Sequence, residues 1–216
     1  MQGLIGKKLG MTQVFDSQGH RVAVTMIQVG PCVVVQRKTK AKDGYEAVQL
    51  GFLDQKESRV GKAALNRFKK IGSTPRRHLR EFRLDSGEEI KEGDTVALTI
   101  FEGVSHVDVS GVNKGKGFQG VVRRHHMRGG PAAHGHTSHR RIGAIGQREK
   151  PGNVAKGHRM PGHMGNINMT MQNLKIVELK GDQNVMLVCG AVPGPVGAII
   201  SVRKALKKVS KKADKA

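Results

Sequence analysis

One internal stretch, residues 111–165, constrains this chain more than any other, because it cannot build a core. It holds eleven Lys or Arg against a single acid, Glu149, with 13 of the chain's 29 glycines and 7 of its 10 histidines. Its only aromatic is Phe118, and its apolar residues recur with neither a 3.6-residue nor a 2-residue period. Such a segment buries too little apolar area to offset its ordering entropy, so alone it is irregular or disordered. Long irregular loops are functional or linkers, and a linker has no use for seven arginines. The stretch reads as an extended basic arm that takes its shape against a polyanion, carried between two folded flanks.

The remaining charge follows the same division. The whole chain has 216 residues, 38 Lys plus Arg and 17 Asp plus Glu, for a net charge of +21. Residues 1–110 contribute +5, residues 166–202 are neutral, and residues 203–216, a lysine-rich tail, contribute +6. An excess of this size repels itself in a compact monomer and points to a polyanionic partner. With seven aromatics and no Trp, recognition by rows of stacked bases is disfavoured. Cys32 and Cys189 are too far apart in sequence for a metal-type pair or a disulfide framework. Two lone thiols fit a reducing compartment, each read as a small buried hydrophobe. No secretory signal is expected, since Met1 to Gly6 runs into Lys7-Lys8 after too short an apolar stretch. Residues 184–202 are free of charge, but Gly190, Pro193, Gly194, Pro195 and Gly197 interrupt them. They read as two buried strands joined by a Pro-Gly turn, with no membrane span.

The flanks, residues 1–110 and 166–202, read as one β domain. Strands are expected over 20–29, 32–36, 44–52, 95–101, 106–109, 169–179, 185–189 and 198–202, rich in β-branched residues. Val96, Leu98 and Ile100 would share one face of their strand. Turn signals fall between, at Asp16-Ser17-Gln18-Gly19, Asp43-Gly44, Glu92-Gly93-Asp94, Gly181-Asp182 and Pro193-Gly194. Many short strands with regular turns favour a barrel or sandwich. Residues 61–70 are the best helix, with Ala64, Leu65 and Phe68 at helical spacing. With Thr74-Pro75-Arg76-Arg77-His78 they make a second, smaller basic excursion, at about 56–85.

The arm's residues suggest four chemistries. Residues 115–120 match G-x-G-x-x-G, but a dinucleotide site needs an acid about 20 residues on, and that position holds Gly135 to Arg141 with no acid. Glycines beside Lys114 and Lys116 serve better to bring backbone N–H groups close to phosphate. His125, His126, His134, His136 and His139 suggest a metal, yet no Cys lies near and one carboxylate serves the whole arm. Neither metal nor cofactor is expected. A general acid–base pair has no scaffold here, and Glu102, His106 and Asp108 read as a mixed-polarity strand edge, so no enzyme is expected. Nucleic-acid binding survives. Lys114, Lys116, Arg123, Arg124, Arg128, Arg140, Arg141, Arg148, Lys156 and Arg159 would neutralise phosphates. His134 and His139 would stack on or donate to bases. Guanidinium groups also stack, and the arm has no stiff helix for a DNA groove, so folded RNA is the better partner.

Read together, several stretches resemble the bacterial large-subunit ribosomal protein L-three family along essentially the whole chain. They are Gly6 to Thr12 (GKKLGMT), Asp43-Gly44-Tyr45, Lys114 to Gly120 (KGKGFQG), Gly143 to Gln147 (GAIGQ), Arg159 to Gly165 (RMPGHMG) and Gly190 to Gly194 (GAVPG). The resemblance implies a mainly β fold: a translation-protein-type β-barrel with a small α+β excursion and a long irregular basic internal extension. It implies a cytoplasmic protein of the ribosome that binds 23S rRNA near its 3′ end and nucleates subunit assembly. The extension would reach toward the peptidyl-transferase centre, its tip at about Gly143 to Gly152. Large-subunit proteins fourteen and nineteen would be neighbours. In some relatives the glutamine matching Gln147 is methylated, so a glutamine methyltransferase is a further implied partner. The family often carries an aromatic after the first arginine pair, where this chain has His125 and His126.

Overall fold

The computed structural model describes residues 1–85 and 88–208. It divides into two units: Met1–Val112 with the chain from Asn168 onward, and Asn113–Ile167. The last eight positions of the lysine-rich tail lie outside the described residues.

The first unit starts with a strand that its sequence hides. β1 (Gly3–Phe15) is not among the expected strands, yet it is 13 residues long and contains three glycines and Lys7-Lys8. Gly3 and Gly6 are points of close backbone approach: a Cβ on Gly6 would lie 2.8 Å from the Gln28 carbonyl oxygen, and one on Gly3 would collide with that of Val202. Leu4 and Ile5 beside them are fully buried. β2 (Arg21–Val29) returns antiparallel to β1. The chain then leaves for a second sheet through β3 (Cys32–Lys38), the helical turn α1 (Lys40–Asp43), β4 (Ala47–Asp54), helix α2 (Lys62–Lys70), β5 (Arg76–Arg83) and β6 (Thr95–Val96). It rejoins the first sheet at β7 (His106–Val112).

Beyond the inserted second unit, β10 (Asn168–Lys180), β11 (Val185–Cys189) and β12 (Ile199–Lys204) complete a closed barrel of order β1-β12-β7-β10-β11-β2, antiparallel throughout. Both flanks of the insertion therefore contribute staves. The core is aliphatic, with Ile27, Val29, Val107, Val109, Val188, Ile200 and Val202 all at 0% exposure. Each such side chain contributes about 1.5–3 kcal/mol relative to exposure, and closure leaves no barrel edge open to pairing. Lys8 is buried at a bulge in β1, and its Nζ donates to the Val192 and Gly194 carbonyls at 3.0 Å each. That pins the Pro193-Gly194 turn between β11 and β12, which are strands as expected but lie apart in the barrel.

The second sheet has order β5-β4-β3-β6. Here the expected strand over 95–101 is corrected: only Thr95–Val96 is strand, and Leu98–Phe101 is a 3₁₀ turn. The segment satisfies two periods at once, and the spacing of three between Leu98 and Phe101, which a 3₁₀ turn places on one side, wins by burying both. β5 was missed as a strand because arginines dominate it; it is the sheet's outer strand, where charge is tolerated and guards against edge pairing. Asp108, read as a strand-edge residue, is buried and accepts the Asn173 N–H at 2.8 Å and the Leu206 N–H at 3.3 Å. Among the described residues no helix is long and apolar enough to cross a membrane.

The insertion point positions the candidate site. Val112, the last residue of β7, is the register partner of Asn168, the first residue of β10. The second unit is thus an enlarged loop between two antiparallel neighbours.

Candidate RNA-binding surface

The second unit is closed at its two ends by backbone pairing. The Asn113 N–H donates to the Ile167 carbonyl at 3.0 Å, and the Ile167 N–H returns to Asn113 Oδ1 at 3.1 Å. The Lys116 N–H donates to the Met164 carbonyl at 2.8 Å, and the Met164 N–H to the Gly117 carbonyl at 3.0 Å. The two-residue strands β8 (Phe118–Gln119) and β9 (Gly162–His163) continue the pairing. Gly165 is buried at φ +78°, and a Cβ there would collide with the Lys114 carbonyl oxygen. The glycines flanking Lys114 and Lys116 thus serve a tight chain crossing that leaves both lysines exposed.

Helix α3 (Val121–His125) follows, ended by His126 in the left-handed region at φ 58°. It separates two arginines that sequence alone treats as equals. Arg123 is exposed, with Nη1 3.4 Å from Gln119 Oε1. Arg124 is half-buried, and its Nη1 donates to the Met160 carbonyl at 2.7 Å; His125 Nε2 sits 3.0 Å from the same oxygen. Gly162 makes room for that guanidinium, since a Cβ would come within 2.7 Å of it. Arg124 and His125 together brace the outgoing strand to the returning one, though a guanidinium has five donors and Arg124 keeps others for a ligand.

Beyond α3 the chain has almost no regular structure, as its composition predicts. From 131 to 159 every residue except Ile142 is exposed. Arg128, Arg140, Arg141, Arg148, Lys156 and Arg159 all face solvent. Among the described residues no cation of the unit is ion-paired; every pair lies in the first unit. His139 shapes a local loop: its Nδ1 lies 2.9 Å from the Pro131 carbonyl, and its own carbonyl accepts the Gly130 N–H at 3.0 Å. Its ring is 6.5 Å from that of His136, tilted. His134 is exposed at φ 59°. Among the described residues no three of His, Cys, Asp and Glu gather as a metal site would need. Gln147 is exposed, on the rim of a shallow depression of about 400 Å³ whose lining includes Ile145, Pro151 and His158.

Sequence reasoning missed one feature outright. Phe118 is 76% exposed on β8, a flat apolar face beside Lys116. The available signal was a lone aromatic in a segment with nothing to pack it against. The arrangement exposes cations, a glycine-built chain crossing and one aromatic face, a set of groups suited in charge and shape to a large irregular polyanion.

Comparison with known proteins finds a family model and curated relatives that match the chain. The family model for "Ribosomal protein L3" matches residues 38–184. The "Large ribosomal subunit protein uL3" of Brachyspira hyodysenteriae (strain ATCC 49526 / WA1) is 45% identical over 212 residues, covering 98% of each chain. That of Corynebacterium jeikeium (strain K411) is 47% identical over 208 residues, 96% of this chain and 95% of its own.

Proposed function

Because the chain belongs to the ribosomal protein L3 family, we propose that it is a structural constituent of the large ribosomal subunit, in the cytoplasm, and that the arm is its principal contact with 23S rRNA. The carrying observation is the run from 131 to 159, exposed but for Ile142 and without an ion pair among the described residues. A segment without a core of its own gains its order from what surrounds it. Lys and Arg neutralising phosphates release counterions, which supplies affinity, and the shape of the arm selects folded RNA over a uniform duplex.

In the finer reading, Lys114, Lys116, Arg123, Arg128, Arg140, Arg141, Arg148, Lys156 and Arg159 meet phosphates, while Arg124 keeps the arm's two strands together as it does so. His134 and His139 stack on or donate to bases. The chain docks near the 3′ end of 23S rRNA, early in assembly, and the arm extends toward the peptidyl-transferase centre. There it supports the geometry of the catalytic RNA and performs no chemistry itself. Large-subunit proteins fourteen and nineteen adjoin it, and Gln147, accessible on its depression, is the substrate of a glutamine methyltransferase.

The test is a salt series on binding to an rRNA fragment containing the 3′ region. With about 6–10 phosphates contacted, affinity is expected to fall about 10³–10⁵-fold between 50 and 200 mM salt. A flat response, or equal affinity for duplex DNA of the same length, would contradict the proposal.

A further inference from the structure

The barrel-bearing unit has a charge asymmetry of its own. Residues 1–110 carry +5, yet residues 54–80 alone hold nine Lys or Arg and two acids, so the remainder of that stretch is net negative. This basic stretch comprises the excursion between β4 and β5 and the first part of β5, which carries Arg76, Arg77 and Arg80. Its base is tied shut: Arg76 Nη1 pairs with Asp54 Oδ1 at 2.8 Å, Thr74 Oγ1 donates to the same oxygen at 2.9 Å, and the Gln55 N–H donates to the Pro75 carbonyl at 2.9 Å. Between the ties, residues 56–70 hold four lysines, two arginines and one acid, Glu57.

We propose that this excursion is a second phosphate-binding surface, which takes the sugar-phosphate backbone of folded RNA independently of the arm. It rests on the rRNA reading above. Lys56, Arg59, Lys62, Arg67, Lys69 and Lys70 are all exposed. Among the described residues none of them is ion-paired; the excursion's one pair is spent at its base, on Arg76. Helix α2 carries four of these cations and no acid in nine residues, and only Phe68 is buried. Such a helix has no opposite-charge pair at i,i+3 or i,i+4 to support it and sets Arg67 against Lys70 at i,i+3. Short helices are marginal in water even without that repulsion. The sequence keeps an electrostatic penalty that a line of phosphates removes.

A protein partner fits less well. Interfaces between proteins are depleted in Lys and anchored by aromatics, whereas this surface is mostly Lys and its one aromatic, Phe68, points inward. A membrane surface fits less well too, because none of the large exposed hydrophobics falls between 56 and 70, and interfacial helices insert such side chains.

The experiment compares three full-length proteins for binding the same rRNA fragment over a range of salt: the natural chain, Lys62→Gln/Lys69→Gln/Lys70→Gln, and the arm variant Arg140→Gln/Arg141→Gln. The α2 variant is expected to show a log–log salt slope shallower by about two to three, each lost phosphate contact removing about 0.9. An unchanged slope in the α2 variant, with weakened binding in the arm variant, overturns this inference and leaves the rRNA reading standing. A flat response in the natural chain overturns both. A second measurement is independent of the variants' folding: acylation of lysine amines in the natural chain, read by mass spectrometry. Lys62, Lys69 and Lys70 are expected to be protected by rRNA, and equal labelling with and without it counts against the surface. Unchanged rRNA binding with loss of a protein neighbour from assembled subunits assigns the surface to a protein and overturns the inference.

Discussion

Two glycines of the arm share a backbone angle and differ in surroundings, which separates strain from collision. Gly165 and Gly157 both sit at φ +78°, but a Cβ at Gly165 meets the Lys114 carbonyl while one at Gly157 meets nothing within 4 Å. Gly157→Ala therefore carries only the left-handed penalty, about 1–2 kcal/mol. Gly165→Ala adds the collision and opens the crossing where the Lys116 and Met164 amides are bonded. Hydrogen exchange at those two amides is expected to accelerate in Gly165→Ala and to stay unchanged in Gly157→Ala; equal acceleration would refute the distinction. Cys32 offers a pH test. Burial pushes its thiol up to about 11 from 9.0, and the thiol donates to the Ile5 carbonyl at 3.6 Å. The folded state then holds this proton more tightly than the unfolded one. The stabilisation is complete below pH 9 and is lost as pH rises through about 11, on the order of 3 kcal/mol in total. The urea midpoint of the natural chain is expected to drop more steeply across that window than that of Cys32→Val. Parallel profiles would show that the thiol does not titrate in this environment.

At the scale of elements, α2 depends on one side chain. Phe68 is 2% exposed and no other residue of the helix is buried. Phe68→Ala removes a contribution of about 3–5 kcal/mol in a well-packed core. Because the ties at Asp54, Thr74 and Pro75 hold the excursion's base, the loss is expected to stay local: α2 amides exchange freely while barrel amides keep their protection. Loss of protection throughout the barrel would mean that the excursion is part of the core. The same helix was legible in the sequence through the spacing of Ala64, Leu65 and Phe68, and most strands through their β-branched residues. What escaped had physical reasons. β1 escaped because its glycines answer to neighbouring strands, which no local pattern reveals. β5 was not among the expected strands because an outer strand tolerates arginines, which hide its pattern. The segment 95–101 obeyed two periods, and only the packing of Phe101 decides between them. In the arm, charge announced the exposed cations, but Arg124 and His125 as a brace depend on the return of Met160 from 35 residues away, and composition cannot see that.

At the scale of the molecule, the arm is expected to be energetically separable from the fold that carries it. Val112 and Asn168 are register partners in adjacent antiparallel strands, so residues 113–167 occupy the place of a hairpin turn. The barrel's staves, its aliphatic core and the Lys8 tie to the Pro193-Gly194 turn all lie in the other unit. Replacing residues 113–167 by Asn-Gly, a pair suited to a two-residue turn between twisted strands, removes ten net positive charges, since those residues include all eleven basic groups of the arm and Glu149. Shortening a loop also lowers its closure entropy, by only about 0.6 kcal/mol per halving of length. The shortened chain is thus expected to melt within a few degrees of the natural one, or slightly higher, and to give the same far-ultraviolet β signature. Its binding to the rRNA fragment should weaken by orders of magnitude and lose most of its salt slope, keeping only the share carried by the excursion at α2. A shortened chain that fails to fold would show that the arm helps form the barrel. One that folds and binds with an undiminished slope would remove the arm from the RNA interface altogether.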